Sequence, residues 1–174
     1  MSKQSRILAI DASVLRSAGA KDEHSSHCAA LLTAVLEICH RVAFSSDLKT
    51  EWDRHQSRFS VKWRASMFAR RKVVVVNAEE RQTALLLQID SQPGLSAPNR
   101  AALAKDMHLL ALALAADRVI LTGDLVLKTL TGGLPGLSLE WLLVHQNDTA
   151  AEHQQLIARL IDLRRNKPNP ALPL

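Results

Sequence analysis

The stretch from Lys105 to Asp124 constrains the fold most. An alanine- and leucine-rich run, Leu109 to Ala116, passes almost directly into Val119-Ile120-Leu121-Thr122. Alanine and leucine lose little side-chain freedom in a helix, whereas consecutive β-branched residues suit a short buried strand. Only Asp117 and Arg118 separate the two, so the helix must double back along the strand it feeds, as one αβ half of a layered α/β domain. Two acids frame the unit. Asp106 falls in the early turns of the helix, and Asp124 falls just past the carboxyl end of the strand, where open α/β sheets place their ligands.

The rest of the chain repeats this alternation. Ile7 to Ile10 reads as a buried first strand that ends in Asp11, and a polar loop from Gly19 to Ser26 leads to a helix capped by Ser25 or Ser26 and running to about His40. Val42 to Ser46 is a second strand, after which Asp47 caps a helix carrying Glu51 about one turn in. Val73 to Val76 reads as a third strand of the fully buried parallel type, followed by a helix around Ala84 to Leu87. A breaker-rich loop, Ser91 to Pro98, precedes the central unit. A short helix from Leu125 to Leu130 then ends at Gly132-Gly133, and Leu139 to Val144 gives a last strand. A final helix from about Thr149 bears an apolar stripe, Leu156, Ile157, Leu160 and Ile161, read as packing on the protein's own sheet, with a homodimer or antitoxin interface as the alternative. The expected architecture is α/β: a three-layer α/β/α sandwich with a central, mostly parallel sheet of about five strands. It forms one domain over residues 1–166, with an irregular tail at 167–174.

Charge adds a second constraint. Twenty-two Lys+Arg against 17 Asp+Glu give +5, which favours an anionic partner. The excess is concentrated from Arg54 to Lys72, where no acid occurs. Arg54, Arg58 and Lys62 recur every four residues and would form a basic, RNA-binding stripe on one continuous helix, with Trp52, Phe59 and Trp63 on another face, assigned to the core. Cys28 and Cys39, three helical turns apart on a helix, are too distant to bridge and read as core thiols in a reducing compartment. No signal-peptide apolar region follows Met1 and no stretch is long enough to span a membrane, so a cytoplasmic protein is expected.

Four acids stand out by position. Asp11 and Asp124 each end an apolar strand, and Glu51 and Asp106 lie in early helical turns that open near the same sheet edge. Singly, each has a local role as a helix cap or a partner of the helix dipole. Together they would converge and repel unless a cation neutralised them, and all-oxygen ligation suits Mg²⁺ or Mn²⁺. Other phosphate chemistries lack their residues: Ser13 stands where a haloacid-dehalogenase-type phosphatase needs a second Asp, and neither a Gly-x-Gly-x-x-Gly nor a Gly-Lys-Ser/Thr motif occurs. There is no His-x-x-x-His pair, and His55 and His108 read as surface or packing residues.

In order and spacing, Asp11-Ala-Ser13, Ser45-Ser-Asp-Leu-Lys-Thr-Glu51-Trp, Lys105-Asp106-Met-His-Leu-Leu and Val119-Ile-Leu-Thr122-Gly-Asp124 resemble the PIN-domain family from about Arg6 to Trp141. The resemblance implies a metal-dependent endoribonuclease that hydrolyses phosphodiester bonds in RNA. Asp11, Glu51, Asp106 and Asp124 would be its catalytic and metal residues, Mg²⁺ or Mn²⁺ its cofactor, and Ser13 and Thr122 supporting polar groups of the pocket. It also implies, for small bacterial members, the toxin of a toxin–antitoxin pair with an antitoxin protein as partner. The alternative is a catalytically silent RNA-binding or scaffold module on the same fold.

Overall fold

A computed structural model of the protein describes residues 5–164. The described residues form five strands, β1 (Ile7–Ile10), β2 (Arg41–Phe44), β3 (Val73–Val75), β4 (Val119–Thr122) and β5 (Glu140–Leu143). Nine helices join them: α1 (Ala12–Ser17), α2 (Glu23–Glu37), α3 (Ser46–Arg54), α4 (Arg58–Ala69), α5 (Glu79–Ser91), α6 (Ala97–Lys105), α7 (Met107–Ala115), α8 (Leu125–Thr131) and α9 (Ala150–Leu163). The sheet is parallel throughout, in the order β3-β2-β1-β4-β5. Parallel neighbours cannot be joined by tight hairpins, so helices cross over both faces and make a three-layer sandwich. The chain builds outward from β1 on one side, then returns to build on the other, which leaves a crevice at the carboxyl ends of β1 and β4.

The apolar runs become core as their composition demands. β1 and β4 sit at the centre, with Leu8, Ile10, Ile120 and Leu121 fully buried, and α7 is buried from Met107 to Leu114. Helix α7 packs on β1, β2 and β4, with α5 and α6 beside it, while α1, α2, α4 and α9 associate with one another. An aromatic cluster closes one end. Trp52 is buried between Phe44 and Trp63 at ring separations of 5.5 and 5.9 Å, and Phe68 meets Phe44 edge-on. Both indoles have partners: Trp52 Nε1–H donates to the Ile10 carbonyl at 3.0 Å and Trp63 Nε1–H to the Leu32 carbonyl at 2.6 Å. Phe59 packs partly buried against the core, so Trp52, Phe59 and Trp63 all serve packing.

Several expectations are corrected. Residues 52–72 are not one helix: α3 ends at Arg54, and Ser57 starts α4 through a capping box with Ser60. Ser57 competes for backbone N–H groups and stops the first helix, so the four-residue recurrence of Arg54, Arg58 and Lys62 does not make one stripe. Strand β3 is a sheet edge rather than a buried strand, and Val75 is 81% exposed; a β-branched run suits an edge as well as a centre. The helix before β2 is capped by Asp22, whose carboxylate accepts the Ser25 N–H, and the helix before β3 that bears Glu51 is capped by Ser45 rather than Asp47. Cys28 is buried but Cys39 is exposed, in a left-handed turn (φ 70°) where α2 reverses toward β2. On α9, Leu156 and Leu160 are buried and the helix packs against α2, while Ile161 stays 39% exposed. Residues 167–174, expected to be an irregular tail, lie outside the described residues. No helix among them is long and apolar enough to cross a membrane.

The Trp52 indole is the link between the aromatic cluster and the end of β1. Trp52→Phe keeps most of the packing but leaves the Ile10 carbonyl without its donor, and is expected to cost about 1–3 kcal/mol. Trp52→Ala adds a cavity and should cost about 3–5 kcal/mol. Denaturant unfolding of both variants measures the difference; a Trp52→Phe variant as stable as the parent would show that the hydrogen bond contributes nothing.

Candidate active site

Asp11 ends β1 and caps α1, a consequence of an apolar strand running straight into a helix. Its Oδ1 accepts the Ser13 N–H at 3.2 Å. Its Oδ2 accepts two hydroxyls, Ser13 Oγ at 2.7 Å and Thr122 Oγ1 at 2.6 Å. Thr122, the last residue of β4, is fully buried, and its Oγ1 accepts the Asp124 N–H at 3.0 Å. Asp124 caps α8, its Oδ1 accepting the Leu127 N–H at 3.0 Å. Ser13 Oγ completes the bracket by accepting the Gly123 N–H at 3.3 Å. Two hydroxyls therefore lock the ends of β1 and β4 together and fix the first carboxylate beside the second.

The other two acids come from helices. Glu51 is half-buried on α3, one position before the anchored Trp52. Its Oε2 lies 3.0 Å from Nε2 of the buried His108, close but without hydrogen-bond alignment. Asp106, expected in the early turns of a helix, lies instead at the joint where α6 ends and α7 begins (φ −100°, ψ 13°). Its carbonyl accepts the Leu109 and Leu110 N–H groups, which starts α7, and its carboxylate makes no cap bond. The break between the two helices there turns the side chain out of the apolar run that follows.

All four acids line one cavity of about 410 Å³ at the β1/β4 crevice, together with Ser13, Arg16, His55, Lys105, Gly123, Leu125 and Val126. Thr122 supports it from beneath. Arg54, Arg58 and Lys62 do not line it; the cavity's basic residues are Arg16, His55 and Lys105, which periodicity in the 52–72 segment could not reveal. Lys105 adjoins Asp106 in sequence and Arg16 closes the helix that Asp11 opens, so both signals were present but local. Arg64, counted in the basic segment, is neutralised: it bonds Asp53 at 2.8 Å and lies 5.5 Å over the Trp52 ring. Lys49 bonds the other oxygen of Asp53 at 2.6 Å, and together the two cations hold that carboxyl down at about 2.

The acids feel one another. Burial first, and then the charges of Asp11, Asp124 and Glu51 against the opposing pull of Lys105, push the Asp106 carboxyl up to about 6. Such a donor set is chemically suited to a hard dication, which would relieve the repulsion. The spacing is open, however: among the described residues no three His, Cys, Asp or Glu side chains are arranged to hold one ion. Comparison with family models, curated proteins and solved structures gives no match.

The raised Asp106 pKa has a definite stability consequence. Below its ordinary value of 3.8 the group is neutral folded or unfolded; as pH rises through about 6 the folded protein must carry a disfavoured charge and loses stability. Asp106→Asn removes that penalty. In EDTA the variant should exceed the parent at pH 7.5 by about 1–2 kcal/mol, a figure discounted for partial solvent access, with the gap closing by about pH 4. Denaturant unfolding at the two pH values checks it; a variant less stable at pH 7.5 would mean the carboxylate is favourably held.

Proposed function

We propose that the chain is a metal-dependent endoribonuclease of the PIN-domain type, with Asp11, Glu51, Asp106 and Asp124 holding Mg²⁺ or Mn²⁺. The observation that carries this reading is the meeting of four carboxylates, contributed by β1, α3, the α6–α7 joint and the end of β4, in one cavity at the sheet's crevice. Burial first and the neighbouring carboxylates second disfavour the Asp106 charge, so a ligand that offsets both is the economical explanation. A dication bound there would activate water and offset charge on the phosphodiester.

The protein's own residues prepare that site. Ser13 and Thr122 fix the Asp11 carboxylate in one orientation, and the Leu127 N–H holds one oxygen of Asp124 while the other has no hydrogen-bond partner among the described residues. Lys105, an exposed cation on the cavity wall, draws phosphate toward an otherwise repellent acidic floor. Arg54, Arg58 and Lys62, exposed outside the cavity, add to the attractive field. The reading extends to a cytoplasmic toxin restrained by an antitoxin protein; growth arrest on expression, relieved by Asp124→Asn, would support that extension.

A second reading, an RNA-binding or scaffold module without catalysis, is favoured by one observation, the absence among the described residues of three side chains arranged around one ion. One experiment separates the two. Mn²⁺ or Mg²⁺ should raise the melting temperature and support RNA cleavage that EDTA abolishes, because the folded chain binds the ion and the unfolded chain does not. Asp124→Asn should lower cleavage by about 10²-fold or more and reduce the thermal shift. RNA binding with no cation-dependent shift and no cleavage would establish the binding module instead.

A further inference from the structure

Edge strands carry backbone groups that can pair with another chain, and proteins ordinarily blunt them with a proline, a charge or a covering element. Strand β3 ends the sheet among the described residues, and the run Val73 to Val76 that contains it has neither proline nor charge. The Lys72 carbonyl accepts the Val42 N–H at 2.8 Å, and the Val76 N–H donates to the Phe44 carbonyl at 2.9 Å. In the register of this parallel pair, Lys72, Val74 and Val76 therefore turn their backbone groups toward β2. Alternation along the strand points those of Val73 and Val75 away from the sheet.

Side chains add to this edge. Val75 is aligned with Phe44 on the neighbouring strand, so the two lie on the same face of the sheet. Phe68 of α4 meets Phe44 edge-on and is itself 49% exposed, which leaves apolar surface beside the outward backbone groups. Charge then gives the edge a direction. Arg70 and Arg71 precede the strand, Glu79 and Glu80 follow it, and all four are exposed and outside the ion pairs found among the described residues. A basic end, an apolar run and an acidic end complement themselves when the segment is inverted.

We infer that β3 pairs antiparallel with β3 of a second copy, about a two-fold axis through Val75, joining two five-stranded sheets into one. Centred there, the outward groups of Val75 meet those of Val75 in the second copy, and the Arg70-Arg71 turn of each chain approaches the Glu79-Glu80 turn of the other. A two-fold contact of this kind closes on itself and stops at a dimer. The apolar stripe of α9 offers no comparable surface, because Leu156 and Leu160 are spent on the core. The paired strands run in opposite directions, so the acidic crevices of the two copies open at opposite edges of the joined sheet. The inference is independent of the nuclease reading.

Sedimentation velocity of the full chain from about 1 to 200 µM tests it. A short ladder makes a small interface, so a monomer–dimer equilibrium with a dissociation constant of about 10–100 µM is expected, weakened by salt. Val75→Asp, at an exposed position, sets two carboxylates against each other and should raise that constant about tenfold or more. Arg70→Glu with Arg71→Glu, and separately Glu79→Lys with Glu80→Lys, should each be monomeric alone, whereas an equimolar mixture of the two should form a heterodimer that Val75→Asp abolishes. Hydrogen exchange on the parent needs no variant: the Val73 and Val75 amides should slow as concentration rises through the transition. A monomeric parent, a species that grows beyond a dimer, a dimer that Val75→Asp leaves unchanged, a mixture that fails to associate, or amides indifferent to concentration overturns the inference.

Discussion

The hydroxyl of Thr122 is the hinge of this structure. It is buried at the end of β4, donates to Asp11 across the strand boundary and accepts the N–H of Asp124 in its own turn. A buried hydroxyl without partners would cost free energy; with both its roles filled by the two acids, it makes the pairing of β1 with β4 and the approach of two carboxylates one event. The parallel register that sets Leu8, Ala9 and Ile10 against Val119, Ile120 and Leu121 brings these ends level. Ser13 repeats the device from α1, bonding Asp11 and Gly123.

From that fixed corner the remaining acids are positioned by packing. Trp52 is anchored to the Ile10 carbonyl and surrounded by aromatic rings, so the helix carrying Glu51 cannot rotate without breaking a buried contact. Helix α3 also touches both α1 and α7 and so spans the cavity's rim. Helix α7 is buried along most of its length, which prevents Asp106 from sliding toward solvent. Rigid surroundings of this kind hold mutually repelling charges together at a cost in stability, a pattern expected of functional sites.

The basic character of the chain divides by environment. Arg64 and Lys49 are spent on Asp53, and Lys72 on the Leu36 carbonyl, so part of the apparent cationic excess of the 52–72 region is structural. Arg16 and Lys105 lie instead on the cavity wall without ion-pair partners among the described residues. Net charge of +5 therefore says less about anion binding than the placement of these two cations does.

Sequence alone determined the layers and the chemistry available at the sheet's carboxyl edge. An apolar strand ending in Asp11, and Val119 to Thr122 ending in Asp124, are local patterns whose meaning does not depend on distant residues, because strand composition and strand termination are local properties. Ser13 and Thr122, two residues from their acids, were singled out only by the resemblance to a family pattern, not by strand composition. Tertiary structure alone decided the rest. Whether Val73 to Val75 lay at the centre or the edge depended on strand order; whether residues 52–72 made one helix depended on the hydroxyls of Ser57 and Ser60 outcompeting helix continuation. Arg16 joined the cavity, and Arg54, Arg58 and Lys62 did not, because a side chain's neighbours across the sheet are set by crossover geometry that periodicity does not encode.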